Sequence, residues 1–231
     1  LQIHSVGRFD LTDLPSLIKM GKSTSSFSET LSPMTSLSGR AQYQLSAKGE
    51  LRPPFHFQHQ GVYHLSKVRF THSQVPFSIM IVEGKVNLSN ENLQWFESEV
   101  EFDRSSLLTN GSWRYGEKSG SFEMTAKGKV DLRNVLGLAQ SQLFPEEIRQ
   151  KAKGMGGLSG TGQFSLKGRR PAGQQSFFYE GELMPKEVSL LLKRDSQPFR
   201  FRDGVFSFSN LGIGFSKMKI QSGNSSLALD G

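Results

Sequence analysis

Five histidines are the residues of this sequence best suited to metal binding or proton transfer: His4, His56, His59, His64 and His72. Imidazole nitrogens bind zinc and act as general acids and bases near neutral pH. His56 and His64 have the same parity along a predicted strand, but eight strand residues separate them by about 26 Å. No pair of acidic ligands accompanies them. The pattern is typical of polar strand residues that face solvent, and it predicts no metal site.

A second candidate is the acidic run of Glu97, Glu99, Glu101 and Asp103, on a strand whose other face carries Val100 and Phe102. Paired carboxylates can serve as general acid and base or bind Ca²⁺. Because their spacing is even, all four should lie on one face of a strand. We interpret the run as an acidic, solvated strand face, with a cation site as the alternative.

Glycines in residues 154–160, Gly-Met-Gly-Gly-Leu-Ser-Gly, superficially resemble a phosphate-binding loop. Such loops follow a strand and open a helix, whereas this one follows a predicted helix and precedes a predicted strand. The Gly-x-Ser-x-Gly pattern of a hydrolase nucleophile is absent from the sequence, and so is cysteine, which excludes thiolate ligands and disulfides. We therefore predict a protein that is not an enzyme, with no cofactor and no bound metal.

The composition is that of a folded chain with an excess of positive charge. The 231 residues include 24 Gly and 18 Phe, and 28 Lys and Arg against 21 Asp and Glu give a formal charge of +7. No stretch approaches the apolar length of a membrane-spanning helix, and the first 22 residues lack the layout of a signal peptide. We expect the sequence to be a soluble piece of a longer protein.

Basic residues are dispersed at predicted strand ends and turns and are densest in the second half of the sequence. We interpret them as a solvated rim that can steer anionic lipid head groups or lipopolysaccharide phosphates. A nucleic-acid surface is the alternative, but none of the nucleic-acid motifs is present. The residues concerned are Lys167, Arg169, Arg170, Lys193, Arg194, Arg200 and Arg202.

Strict alternation of apolar and polar residues is the dominant pattern. Ala41, Tyr43, Leu45 and Ala47 are apolar, and the residues between them are polar. A period of two with one apolar side is typical of half-buried antiparallel strands. The pattern recurs around residues 122–126, 164–166, 188–192, 206–208 and 227–229. The sequence therefore predicts a mainly β fold built on a long antiparallel sheet.

Two short helices interrupt the strands. Residues 12–20 have helical spacing of apolar residues, and residues 145–154 begin with Pro, carry two acids in the first turn and end before Gly. We expect the second helix to extend upstream through residues 133–142. Because apolar residues lie among charges in this region, one helix face should rest on the sheet or cover the mouth of a groove. These apolar residues are Val135, Leu136, Leu138, Leu143, Phe144 and Ile148.

An internal repeat organises the sequence. Residues 7–14 match residues 128–135, residues 37–45 match residues 158–166, and three further pairs of blocks follow in the same order at offsets of 120 to 122. Repeated units that share one sheet form a solenoid-like structure. We predict two units, residues 1–121 and 122–231, in one continuous sheet, with two separate small domains as the alternative.

The repeated blocks resemble those of the AsmA-like family of large bacterial envelope proteins, which are related to the translocation-and-assembly-module proteins. The resemblance rests on Gly-Lys-Val-Asp-Leu at residues 128–132, Phe-Ser-Phe-Ser-Asn at residues 206–210 and Gly-Asn-Ser-Ser-Leu-Ala-Leu-Asp-Gly at residues 223–231. It implies an N-terminal anchor in the inner membrane and a periplasmic run of strands. It also implies a curled sheet with an apolar groove through which phospholipid moves between the membranes.

Physical chemistry is consistent with such a groove. A contiguous apolar surface usually marks a binding site, and an acyl chain of sixteen carbons gains on the order of 10 kcal/mol when it is buried at about 0.8 kcal/mol per CH₂. The alternative is that the same face packs on a second sheet as a sandwich core. The predicted lining residues are Phe55, Phe57, Val68, Phe70, Phe77, Ile79 and Ile81 in the first unit, and Phe178, Val188, Leu190, Leu192, Phe199, Phe201, Phe206 and Phe208 in the second.

We therefore expect a non-enzymatic, lipid-binding segment of a periplasmic protein anchored in the inner membrane, which holds or conducts phospholipid between the inner and outer membranes. Its partners would be phospholipid acyl chains, both membranes through parts outside this sequence, and other envelope proteins, but not nucleic acid. The alternative is a β scaffold whose open edges accept partner strands during outer-membrane protein assembly, without lipid transport.

Overall fold

The computed structural model describes residues 1–13, 34–50, 57–115, 120–141, 146–174, 176–193, 195 and 197–231. Most of the helix predicted over residues 12–20 lies outside these ranges, as do Phe55, His56, Leu143 and Phe144. The side chains of Phe57 and Ile148 are also outside the description.

Fourteen strands form a single antiparallel sheet, so the mainly β prediction is confirmed. The strands are β1 (Gln2–Asp10), β2 (Met34–Gly49), β3 (Phe57–His72), β4 (Ile79–Ser89), β5 (Asn92–Phe102), β6 (Ser105–Arg114), β7 (Phe122–Asp131), β8 (Met155–Arg170), β9 (Phe178–Leu192), β10 (Phe199–Arg202), β11 (Val205–Ser209), β12 (Gly212–Ser216), β13 (Met218–Ser222) and β14 (Ser225–Leu229).

Neighbouring strands in the sequence are also neighbours in most of the sheet. Strands β1 to β10 pair in sequence order and are followed by β13 and β14, while β11 pairs with both β9 and β12. Strands β1 and β14 lie at opposite edges of the sheet and do not pair with each other. The sheet is therefore open in the part of the chain that the structure describes.

One face of the sheet, the apolar face, carries a row of apolar residues or glycine across nine strands. Directly opposed residues of antiparallel strands share a face, so the register defines this row. Its members are Val68, Ile81, Val100, Leu107, Gly128, Phe164, Leu183, Phe206 and Phe215. On the opposite side, the polar face, the adjacent row is Ser66, Glu83, Glu99, Leu108, Lys127, Ser165, Glu182 and Ser207.

β-Bulges interrupt the alternation of side chains within the strands. In β3, Lys67 has a φ of 52°. Leu65 and Val68 both pack on the apolar face, although residues three apart in a regular strand would lie on opposite faces. In β9, Glu187 has a φ of 53° and precedes the buried Val188. A bulge inserts one extra residue into a strand and re-aims the side chains that follow. Before and after each bulge, therefore, different alternate residues (odd-numbered or even-numbered) lie on the apolar face.

Helices lie against one end of the sheet. A 3₁₀ turn (Leu11–Asp13) follows β1, and helices α1 (Leu132–Ala139) and α2 (Glu146–Lys153) connect β7 to β8. Leu132 packs with Val130 and Val188 on the apolar face, and α1 contacts β7 and β8. The buried residues of α1 are Leu132 and Asn134, not the apolar residues predicted to make this contact. Val135, one of the apolar residues predicted for that helix, is instead exposed.

Polar groups fix α1 to the strands below it. The Asp131 carboxylate caps the helix by accepting from the Arg133 N–H at 3.0 Å. The Asp131 N–H donates to Ser105 Oγ, and the Asn134 amide donates to the same hydroxyl. All three of Ser105, Asp131 and Asn134 are buried. Because buried polar groups are costly without partners, this network specifies where the helix docks.

Little of the apolar face is fully buried. Two clusters, Leu11–Ala41–Val68 and Val130–Leu132–Val188, form the densest packing. Nine hydrophobic residues are buried among the described residues, and none of these nine is aromatic. Large aromatic side chains dominate the interior of ordinary cores, so here the aromatic residues remain partly accessible.

Candidate functional site

The candidate site is the apolar face, because the register places eleven of the predicted lining residues there. They are Val68, Phe70, Ile79, Ile81, Val188, Leu190, Leu192, Phe199, Phe201, Phe206 and Phe208. Val68 and Val188 are buried at 4% and 5% exposure, and the other nine are half-buried. The structure thus brings together residues from both halves of the sequence on one surface.

Phe178 is the exception, because it lies on the polar face. It is opposite Arg169 on β8, and the guanidinium carbon of Arg169 lies 5.8 Å from the centre of the Phe178 ring. Phe178 and Val188 have the same parity in the sequence, but the bulge at Glu187 lies between them and reverses the face. The prediction that Phe178 lines the apolar surface with Val188 is therefore wrong.

Three further predicted residues lie outside the strand rows or outside the description. Phe77 is in the turn between β3 and β4, where its ring stacks on Phe102 at a centroid distance of 5.0 Å. Phe57 begins β3, but only its backbone is described, and Phe55 lies outside the described residues. Phe77 therefore covers the end of the apolar face and is not part of its strand surface.

Aromatic residues outside the predicted set also occupy the apolar face. Tyr43 and Tyr63 are directly opposed across β2 and β3, and their ring centroids are 6.4 Å apart. Trp95 on β5 and Phe122 on β7 have ring centroids 5.9 Å apart, although β6 lies between their strands. The alternation around Tyr43 and Phe122 could have identified both residues, whereas the bulge after Trp95 hides its face in the sequence.

Glycines on the apolar face make room for these rings. A β-carbon on Gly111 of β6 would lie 2.1 Å from the Trp95 ring, and one on Gly181 of β9 would lie 2.4 Å from the Phe208 ring. Glycine in a strand interior often marks such a close approach. The rings of residues two strands apart meet because the strand between them carries no side chain at that position.

Arg170 introduces one positive charge on the apolar face. It ends β8 opposite Phe122, and it lines a cleft of about 330 Å³ together with Trp113 and Phe177. Its Nε is buried and has no hydrogen-bond partner among the described residues. The residue as a whole is only half-buried, but a buried polar atom without a partner is costly, so an anion in this cleft would be favourably placed. The preceding Arg169 instead points away from this face.

The side chain of Tyr63 is half-buried on the apolar face. Burial raises the pKa of Tyr63 above its ordinary value, and the nearby Tyr43 adds to the effect. The Tyr63 hydroxyl group is therefore neutral across the physiological range.

Residues considered for metal or acid–base chemistry do not converge. Among the described residues, no three His, Asp or Glu side chains are close enough together to hold a metal ion. His4 contacts Gln2 at 2.8 Å, and Glu99 and Glu101 are on the solvent side of β5 with Glu99 opposite Leu108. Among the described residues, the register instead groups apolar side chains on one surface.

Comparison with protein-family models, with curated proteins and with solved structures finds no significant match for this chain. Within the described ranges, none of the helices has the length and apolar character needed to cross a membrane. A function must therefore be argued from the surface itself.

Proposed function

We propose that the apolar face holds the acyl chains of phospholipids, and that this chain is a lipid-binding, non-enzymatic segment of a bacterial envelope protein. The resemblance of its repeated blocks to the AsmA-like family suggests this role. A periplasmic location, an inner-membrane anchor outside this sequence and the passage of phospholipid between two membranes belong to the same proposal.

The observation that carries the proposal is the long, half-buried row of apolar residues. Nine strands at a spacing of about 4.8 Å extend such a row over roughly 38 Å. In a closed sandwich the inner face would be buried under a second sheet, but all fourteen strands belong to one sheet and the aromatic residues stay partly accessible. Contiguous apolar surface of this extent is typical of a binding surface.

We further propose that the sheet curls around this face to form a groove. The ring of Trp95 reaches that of Phe122 across an intervening strand, and Gly111 offers no side chain to separate them. Small residues on one face and bulges along the strands are the features that let a sheet bend. A bend toward the apolar face would surround an acyl chain on more than one side.

Two equivalent units build this groove in our proposal. Gly39 and Gly160 both have positive φ and both face a bulge, at Lys67 and Glu187 respectively. In the same way, the Asn90 side chain accepts from the His59 N–H at 2.5 Å, and the Asn210 side chain accepts from the Tyr179 N–H at 2.5 Å. These paired features are 120 or 121 residues apart, as expected for a duplicated unit.

The position of Arg170 suggests how a phospholipid would be oriented. A phosphate in the cleft beside Trp113 and Phe177 would pair with the guanidinium, while the acyl chains would lie across the adjacent aromatic residues. Charge-assisted hydrogen bonds from arginine to phosphate are among the stronger polar contacts in proteins.

The two tryptophans of the chain provide the test, because Trp95 and Trp113 both lie on the apolar face. Phospholipid with brominated acyl chains should quench their fluorescence, whereas lipid brominated at the head group should quench less. Leu190→Glu should reduce quenching by placing a charge on the apolar face, and Leu191→Glu is the matched control on the polar face. Equal quenching by both variants, or none with the unmodified chain, would contradict the proposal.

A strand-accepting scaffold is the second candidate function. Among the described residues, no strand pairs with the outer side of β1 or of β14, and strands in that position can bind further strands by β-augmentation. A scaffold of this kind would bind partner strands while leaving the tryptophan fluorescence unchanged when brominated lipid is added.

A further inference from the structure

Basic residues of the second half differ in how the structure balances their charge. The Lys167 ammonium lies 3.2 Å from a carboxylate of β9, and the guanidinium of Arg169 lies over the Phe178 ring. Arg200 and Arg202 of β10 are exposed, and neither forms an ion pair with any residue that the structure describes. Unbalanced positive charge therefore concentrates at β10.

The two arginines line a cleft of about 520 Å³ together with Lys186 of β9. We call it the basic cleft. In β10 the arginines flank Phe201, which lies opposite Val188 on the apolar face, so both guanidinium groups are on the polar face. Residues two apart in a strand are separated by about 7 Å, which sets the spacing of the two arginines along the cleft.

Carboxylates offset this charge only in part. Glu187 and Asp203 also line the basic cleft. The Asp203 carboxylate lies 3.7 Å from the Lys219 ammonium, and Lys219 is directly opposite Arg202 on β13. Like charges that are directly opposed across two strands destabilise a sheet. A bound anion would relieve this repulsion.

The first half of the chain shows that the fold does not require these cations. Val68 lies opposite Ile81 there, as Val188 lies opposite Phe201 in the second half. The residues 120 positions before the three cations of the basic cleft are Ser66, Met80 and Val82. The same local register therefore forms without positive charge, and ligand binding is a reason for the cations that folding does not supply.

We propose that the basic cleft binds a small, water-soluble ligand with two phosphate groups, one paired with Arg200 and the other with Arg202. Arginine binds phosphate through two parallel N–H donors, and Lys186 can donate to either group. A linker of three carbons spans the distance of about 7 Å between the arginines. The cleft volume is within the range of roughly 300–1,000 Å³ that is typical of small-molecule sites.

Other charges of the polar face favour a small ligand over a large polyanion. Glu83 and Glu99 are directly opposed on this face, and Glu182 lies on it opposite Ser165. These carboxylates would repel an anionic membrane or a nucleic acid laid across the sheet, whereas a small ligand in the cleft does not meet them. The inference rests on the polar face alone and holds whether or not the apolar face binds lipid.

Isothermal titration calorimetry at constant ionic strength tests the proposal. The probes are propanediol bisphosphate, with its phosphates on the two terminal carbons, and propyl phosphate. We expect the bisphosphate to bind about tenfold more tightly, because its second phosphate binds at a high effective concentration. Arg200→Gln and Arg202→Gln should each lower the affinity for the bisphosphate about tenfold, to that of propyl phosphate.

Arg69→Gln is the matched control, because Arg69 is an exposed arginine of the polar face outside the basic cleft. Thermal melting by circular dichroism verifies that each variant is folded. Equal affinity of the unmodified chain for the two probes, no binding of either, or an equal loss in Arg69→Gln would overturn the proposal. Because the two probes are compared on the unmodified chain, the first two of these outcomes do not depend on any variant.

Two further measurements separate this site from other uses of the same cations. Tighter binding of an oligothymidylate than of the bisphosphate, or sedimentation with phosphatidylglycerol vesicles without binding of the bisphosphate, would overturn the proposal. Quenching of tryptophan fluorescence by brominated phospholipid should be the same in Arg200→Gln as in the unmodified chain. A parallel loss of quenching would show that Arg200 serves the apolar face, and would also overturn the proposal.

Discussion

A β-carbon on Gly160 would lie 2.4 Å from the carbonyl oxygen of Glu187. Gly160 has a φ of 106° and Glu187 has a φ of 53°, so both backbones adopt conformations that ordinary side chains disfavour. The close contact brings β8 against the bulge of β9, directly before the buried Val188. Gly39 and Lys67 repeat this relationship with a distance of 2.5 Å.

Substitution of Gly160 should therefore destabilise the sheet. We expect Gly160→Ala to lower the free energy of unfolding by about 1–3 kcal/mol, since the variant combines an unfavourable φ with a backbone clash. The measurement is urea unfolding followed by circular dichroism. Gly157→Ala is the matched control on the same strand, because nothing lies within 4 Å of the added carbon. Equal losses in the two variants would argue against this explanation of the bulge.

Acid should weaken the docking of helix α1. Hydrogen bonding from the Arg133 side chain lowers the pKa of the Asp131 carboxyl, although burial opposes the shift. A carboxyl with a lowered folded-state pKa stabilises the fold above its unfolded pKa of about 3.9 and loses this contribution as the pH falls through the folded value. Asp131→Ala should cost about 1 kcal/mol at neutral pH.

The difference in unfolding free energy between the unmodified chain and Asp131→Ala should shrink when denaturant melts are repeated below about pH 4. Glu182→Ala, which removes a carboxylate from the polar face, serves as the control and should change stability little. A difference that stayed constant from neutral pH to pH 3 would show that the carboxylate charge of Asp131 contributes nothing to helix docking.

Arg170 should determine head-group preference if the apolar face binds phospholipid. We expect Arg170→Gln to weaken binding of an anionic phospholipid about ten- to a hundredfold, which corresponds to the loss of a charged hydrogen bond. Binding of a diacylglycerol, which has no phosphate, should change little. The readout is quenching of tryptophan fluorescence by brominated lipids. Arg169→Gln is the matched control, because that guanidinium lies on the polar face, and an identical effect in both variants would indicate dispersed charge attraction.

Buried and half-buried residues of the apolar face should respond differently to substitution. Val188 packs with Val130 and Leu132, so Val188→Ala should lower the free energy of unfolding by about 1–3 kcal/mol through lost packing. The half-buried Phe206 contributes a large accessible surface, so Phe206→Ala should reduce lipid quenching more than Val188→Ala does. Thermal melting and lipid titration of both variants check this, and the reverse order would place the binding surface elsewhere.

The sequence by itself determined the strands and most of the residues that lie on the apolar face, because both follow from local periodicity. Alternation such as that at Ala41, Tyr43 and Leu45 requires an antiparallel strand with one apolar face. The Pro, acidic residues and Gly around residues 145–154 likewise define a short helix, observed as Glu146–Lys153. Within an uninterrupted strand, parity alone identifies the face of each residue, as it did for Leu190 and Leu192.

Only the tertiary structure showed which residues share a face on the two sides of each bulge. Lys67, Glu97 and Glu187 adopt positive φ without being glycine, so their residue types do not reveal that a strand gains one residue there. The extra residue in β9 moved Phe178 to the polar face, and the one in β5 concealed that Trp95 faces Phe122. Parity with Phe164 and Leu166 in β8 already places Arg170 on the apolar face, but only the tertiary structure brings it beside Trp113 and Phe177.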